Sequence, residues 1–229
     1  MTADGRGRGR GHQRAGTAVD RAVDAFAAGE PVLVHDFDDR EGETDVLYPA
    51  GAVDRAAVSR IRNDAGGLLF VALSAEVADA FDLPFLHEVV DHPANDHGDL
   101  RYDTRPSFSL TVNHRDTFTG ITDDDRALTV RELAAAATDP AGTEFAATFR
   151  FPGHVHLLRA ASGLLAERRG HTELGIALAE AAGLPPAVAG AEMLDDDAGG
   201  ALSLADARAY ARRHGLAFVT GDELVAALG

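Results

Sequence analysis

Apolar positions along the chain repeat with two periods, and the two alternate. "TAVDRAVDAFAAGE" sets Val19, Val23 and Phe26 on one helical face, with Thr17 as N-cap and Gly29 as the stop. A strand, "PVLVHD", follows at once. "AVDRAAVSRIRNDAGG" predicts a second helix ending at Gly66, feeding the strand "LLFVALS", after which Ser74 caps "SAEVADAFDL". "SFSLTVN" alternates as a strand does. "TVRELAAAAT" predicts a helix opened by a capping box of Thr129 and Glu132. "FAATFRF" reads as a strand that Pro152-Gly153 breaks, leaving His154 on a turn just before a helix, "LRAASGLLAERR". "TELGIALAEAAG" is the next helix, with Thr172 as its N-cap, followed by strand "AVAGAEML" and helix "SLADARAYARRHG", boxed by Ser203 and Asp206. Strand "LAFVT" and a last helix end the chain. Strands and helices interleave without a linker or repeat, which indicates one layered α/β domain over residues 17–229.

Two stretches fall outside the periodic pattern. Residues 1–16 read as a disordered arm, and its "RGRGRG" run is a small basic patch in a solvated tail. Between His87 and Arg105 lies a polar loop rich in His and Asp, whose spacing follows no metal-ligand pattern.

Composition narrows the class. The 229 residues suffice for a real core. No run approaches the roughly 18–20 apolar residues of a membrane span, and the N-terminus lacks the apolar stretch of a secretory signal. With no cysteine there is neither a disulfide nor a thiolate zinc site, and cytoplasm is the default compartment. The formal charge is −16, and every one of the 21 basic residues is arginine. So acidic a surface argues against a duplex nucleic-acid partner. It suits a high-salt cytoplasm, where screening relieves self-repulsion; full folding and activity without added salt would overturn that expectation. A GC-rich codon bias explains the missing lysine equally well.

The densest chemistry lies at residues 36–45, "DFDDREGETD", with six acids and one arginine in ten residues. Carboxylates held so close are costly unless a cation or a proton balances them, so a metal site, an acid/base site and a solvated acidic loop all compete here. In an extended segment Glu41, Glu43 and Asp45 point one way, and Arg40 offers a fork for phosphate or carboxylate. His154, on its turn, is placed for proton work, against the plainer reading of a structural histidine. In "ERRGHTELGIAL" the helix entrance at Gly170, His171 and Thr172, with Arg168 beside it, makes an anion seat; an ordinary capped helix is the plain alternative. A carboxylate cluster, an anion seat and two imidazoles together fit an enzyme that uses Mg²⁺ or Mn²⁺ on a small phosphorylated polyol.

At these segments the chain resembles the 3,4-dihydroxy-2-butanone 4-phosphate synthase family of riboflavin biosynthesis. The family pattern D-x-D-R-E-x-E-x-D, P-G-H-V, R-G-G-H-T-E and a strand ending in glutamate before N/D-D-D-G appears in order as "DFDDREGETD", "PGHV", "RRGHTE" and "AEMLDDDAG". The likeness runs from about Thr17 to the C-terminus. It implies an α+β layered fold, a mixed sheet flanked by helices in three layers, and a lyase converting D-ribulose 5-phosphate to 3,4-dihydroxy-2-butanone 4-phosphate and formate. It further implies that Arg40, Glu41, Asp45, Glu192 and the run Arg168, Arg169, Gly170, His171 and Thr172 bind substrate. Glu41 and His171 would hold two Mg²⁺ ions, with Mn²⁺ as a substitute, and His154, Glu192, Asp45 and Glu43 would serve catalysis. A homodimer with its site near the interface is implied as well. Thr44 stands where the family has a glycine, and Arg169 replaces the first glycine of R-G-G-H-T-E.

Two rivals remain at this level. "VLVHDFDD" looks like the opening of a haloacid-dehalogenase-type phosphatase, with Asp36 as nucleophile and Asp38 as acid, but the lysine that such an enzyme needs is missing. A non-catalytic RNA- or nucleotide-binding module of the same fold would want a basic face where this chain puts acids.

Overall fold

The computed structural model of the chain describes residues 16–37, 40–95, 103 and 105–229, so residues 1–15 of the N-terminal arm, Asp38, Asp39 and most of the polar loop lie outside the described residues. The strands are β1 (Val32–His35), β2 (Thr44–Pro49), β3 (Phe70–Leu73), β4 (Phe108–His114), β5 (Phe149–Arg159), β6 (Ala187–Glu192) and β7 (Ala217–Thr220). They form one sheet in the order β4-β5-β3-β6-β2-β1-β7. The β1–β7 and β3–β5 pairs are parallel; the other pairs are antiparallel. Around it lie α1 (Ala18–Ala27), α2 (Arg55–Asp64), α3 (Ala75–Ala80), α4 (Leu86–Val89), α5 (Asp123–Thr138), α6 (Phe145–Thr148), α7 (His171–Ala181), α8 (Leu204–His214) and α9 (Gly221–Leu228).

Strand alternation builds two cores from one sheet. Leu33, Val46, Tyr48, Val71 and Ala189 face a core closed by α2, α3, α5 and α8. Val32, Val34, Leu47, Phe70 and Val188 face the other, under α1, α7 and α9. The result is the three-layer, mixed-sheet α+β fold expected from the sequence. Central strands apolar on both faces explain why their segments read as continuous apolar runs.

Several local expectations fail for identifiable reasons. The helix assigned to Thr129 starts at Asp123, capped by Thr122, and Thr129 is buried mid-helix. There its hydroxyl donates to the Asp125 carbonyl and accepts from the His114 amide, so a polar side chain that looked like a cap ties α5 to β4. Residues 145–148 form the helical turn α6, not strand. Pro152-Gly153 does not break β5, and His154 is a strand residue. The pairing with β4 slips between Val112 and Asn113. A Cβ on Gly153 would sit 2.0 Å from the Val112 carbonyl carbon, so glycine is what lets the strands approach through the irregularity. Of the helix expected over residues 158–169, the first two residues end β5 and the rest is a loop with one 3-10 turn, Leu164–Ala166. Gly170, not Thr172, caps α7.

Candidate active site

The acidic stretch connects β1 to β2 as a tight hairpin loop. Asp36 accepts from the Glu43 amide through Oδ1 at 2.9 Å, and its Oδ2 takes Arg40 Nη1 at 3.3 Å. The Asp36 amide donates to the Glu43 carbonyl, which closes the loop from both sides. Asp36 is thereby a brace of this loop, which leaves the phosphatase nucleophile reading without support.

From that loop the chain enters β2, where register and parity do the work. Asp45 lies opposite Glu192 on β6. Both point to the face covered by α7, as Leu47 and Val188 do along the same strands. His171, the first residue of α7, stacks on Phe70 of β3 with ring centroids 5.3 Å apart. The sheet and one helix entrance thus converge on a point: ligand atoms of Asp45, His171 and Glu192 lie within 4.8 Å of one another. Glu41 Oε2 reaches His171 Nδ1 at 3.3 Å and Arg40 Nη1 at 2.8 Å.

This centre is electrostatically unfinished. Both Asp45 oxygens are buried without a hydrogen bond, and Glu41 Oε2 and His171 Nδ1 meet only as an ion pair beside Arg40. Burial pushes Asp45 up to about 8. For His171 burial opposes the charge, yet Asp45, Glu41 and Glu192 outweigh it and hold the imidazole up at about 9. Burial also raises Glu43, helped by Glu41 and Glu192. Glu41 alone is lowered, because His171 and Arg40 overcome its burial. A buried oxygen-and-imidazole set that retains protons and leaves both Asp45 oxygens unbonded is chemically fitted to a divalent cation.

Beside it opens a cavity of about 390 Å³ lined by Arg40, Glu41, Glu43, Asp103, Arg168, His171 and Glu192, among others. Arg168 Nη1 pairs with Glu173, fully buried at 0% exposure, which also accepts the Ala161 and Gly170 amides. A Cβ on Gly170 would lie 2.4 Å from Arg168 Nη1, so this glycine makes room for the guanidinium. Thr172 is buried in the first turn, its hydroxyl unpartnered.

Of the expected residues, the structure brings Arg40, Glu41, Glu43, Asp45, Arg168, His171 and Glu192 together. Exposed Arg169 lies instead on a separate cavity with Asp36 and Asp222. His154 is exposed on β5, hydrogen-bonded to Asn113, and does not line the centre's cavity. Sequence reading passed over Glu173 and Asp103. Glu173 carried a legible signal, since it stands three residues after Gly170, where a capping acid belongs. Asp103 carried none, being one acid in a polar run.

Fold and site together define an α+β enzyme with a buried carboxylate–imidazole centre beside an arginine-lined pocket. The family model for 3,4-dihydroxy-2-butanone 4-phosphate synthase matches residues 20–227. The chain is 46% identical over 222 residues to the 3,4-dihydroxy-2-butanone 4-phosphate synthase of Methanosarcina mazei, covering 91% of this chain and 90% of that one. It is 47% identical to that of Archaeoglobus fulgidus, covering 90% and 92%. A crystal structure of such a synthase in complex with two magnesium ions superposes with a TM-score of 0.78 at 34% identity, covering 92% of this chain and 95% of the other. The chain belongs to the 3,4-dihydroxy-2-butanone 4-phosphate synthase family.

Proposed function

We propose that the chain is the lyase that converts D-ribulose 5-phosphate to 3,4-dihydroxy-2-butanone 4-phosphate and formate in riboflavin biosynthesis, with residues 17–229 as one catalytic domain. The observation that carries this reading is the convergence of Glu41, Asp45, His171 and Glu192, with both Asp45 oxygens unbonded, beside a cavity holding Arg40 and Arg168. Glu41 and His171 are the residues that would hold two Mg²⁺, and the imidazole ligand would allow Mn²⁺ to substitute. Bound there, the cations supply positive charge that polarises a carbonyl and favours loss of the adjacent proton.

The chain's own groups do the rest. Arg40, Arg168, Thr172 and the amides around Gly170 and His171 bind and orient the sugar phosphate, while Arg169 faces the neighbouring cavity, which shares Arg40. Asp45 and Glu192, facing each other across β2 and β6, hold the hydroxyl end. Asp45, pushed up to about 8 by burial, is a carboxyl able both to take and to return a proton near neutrality, and Glu43, raised by burial and by the neighbouring Glu41 and Glu192, stands beside the cavity as a second carboxyl. His154 adds a further proton carrier from outside its own subunit's cavity. Phe151, exposed by 58%, lies on the same strand as His154 and is an apolar side chain that burial in a homodimer would cover. No described helix is long and apolar enough to cross a membrane, which accords with a cytoplasmic enzyme.

The test is formate release from ribulose 5-phosphate with and without Mg²⁺. Metal-dependent formate is expected, and Glu41→Gln should lose more than the roughly 10–100-fold that removal of an outer metal partner costs. Release of inorganic phosphate without formate would replace this reading with a phosphatase.

A further inference from the structure

The arginines of the cavity already hold an anion. A single oxygen, Asp103 Oδ2, accepts from Arg40 Nη2 at 2.6 Å, from Arg168 Nε at 2.8 Å and from Arg168 Nη2. The Nε/Nη2 edge is the one a guanidinium offers side-on to a phosphate or carboxylate. Two guanidiniums therefore meet four carboxylates: Asp36 and Glu41 on Arg40, Glu173 on Arg168, and Asp103 on both. An arriving phosphate dianion finds no spare positive charge on this pair unless a carboxylate withdraws. Asp36 is fixed by the Glu43 amide, Glu41 sits against His171, and Glu173 is fixed by two backbone amides. Asp103 is the carboxylate that bridges both guanidiniums, and it lines the cavity that a phosphate would enter. Two residues on, Arg105 lines the same cavity, and its Nη1 is buried with no hydrogen-bond partner among the described residues, so a third donor stands ready there.

We propose that Asp103 occupies the place of the substrate phosphate: its carboxylate holds Arg40 and Arg168 in the empty site, and substrate binds by displacing it. Asp103 thereby sets the enzyme's affinity for phosphorylated ligands, which keeps an arginine-rich seat from filling with stray anions. The proposal rests on the reading of the substrate as a sugar phosphate.

Two variants of the full chain, Asp103→Asn and Asp103→Ala, test it by calorimetric titration of the metal-free protein with inorganic phosphate. Phosphate should bind either variant about tenfold more tightly than the unmodified protein, the size expected when one charge-assisted contact stops competing. In the Mg²⁺-loaded enzyme the Michaelis constant for ribulose 5-phosphate should fall by a similar factor, with a smaller change in kcat. Weaker or unchanged phosphate binding would mean that Asp103 only braces the arginines, and would overturn the proposal, as would failure of both variants to fold. Formate release by the unmodified enzyme is measured alongside. If that fails while phosphate binds the variants more tightly, the functional reading falls and the displacement stands.

Discussion

The acidity of residues 36–45 resolves, residue by residue, into separate jobs. Asp36 closes a loop, Glu41 meets His171, Glu43 lines the cavity and Asp45 lies beneath it. Only the last three share a centre, and its protonation makes a directional prediction. The His171 pKa of about 9 exceeds the ordinary 6.5, so its contribution to stability is full below pH 6.5 and is lost as pH rises through about 9. The Asp45 value of about 8 exceeds the ordinary 3.8, so the fold favours its neutral form, and that contribution fades upward until about pH 8. Both signs agree. Metal-free protein should lose stability between pH 6.5 and 9. Saturating Mg²⁺ should shrink the loss, because a cation replaces the protons. Urea midpoints at the two pH values, with and without Mg²⁺, measure this; a metal-free midpoint that climbs with pH would contradict the assignment.

Elements were legible in proportion to how fully local chemistry decided them. Thr17, Ser74 and Ser203 cap their helices as read, because a hydroxyl just before an apolar-periodic run has few other uses. Strand β2 went unread because its first residues, Thr44 and Asp45, belong equally to the acidic run, and only pairing with β1 and β6 makes them strand. Thr129 and Thr172 misled for the converse reason: tertiary contacts bury each of them inside a helix. Those two errors left the site nearly untouched, since its residues were read from motif spacing. What spacing could not convey was which acid braces an arginine, and so Asp103 and Glu173 stayed hidden. The Pro-Gly pair shows the same override and yields a test. If close approach of β4 explains Gly153, then Gly153→Ala must push backbone atoms apart and should destabilise the protein by about 1–3 kcal/mol. An unchanged thermal midpoint would show that the strands part freely there.

For the molecule as a whole, the proposed role of His154 depends on assembly, because His154 does not line the cavity of its own chain. It stands exposed on β5, near exposed Phe151. In the proposed homodimer, a contact across the face that carries His154 and Phe151 would set one subunit's His154 at its partner's site, so that each complete site draws on two chains. Mixing inactive variants decides this. His154→Ala and Glu41→Gln subunits, unfolded together and refolded at equal amounts, give half of the dimers mixed. Each mixed dimer then holds one site with Glu41 from one chain and His154 from the other, and one site with neither. Recovery of about a quarter of the unmodified rate is therefore expected from two parents that are each nearly dead. If each chain instead used its own His154, every site in every dimer would carry one defect, and the mixture would stay as inactive as its parents.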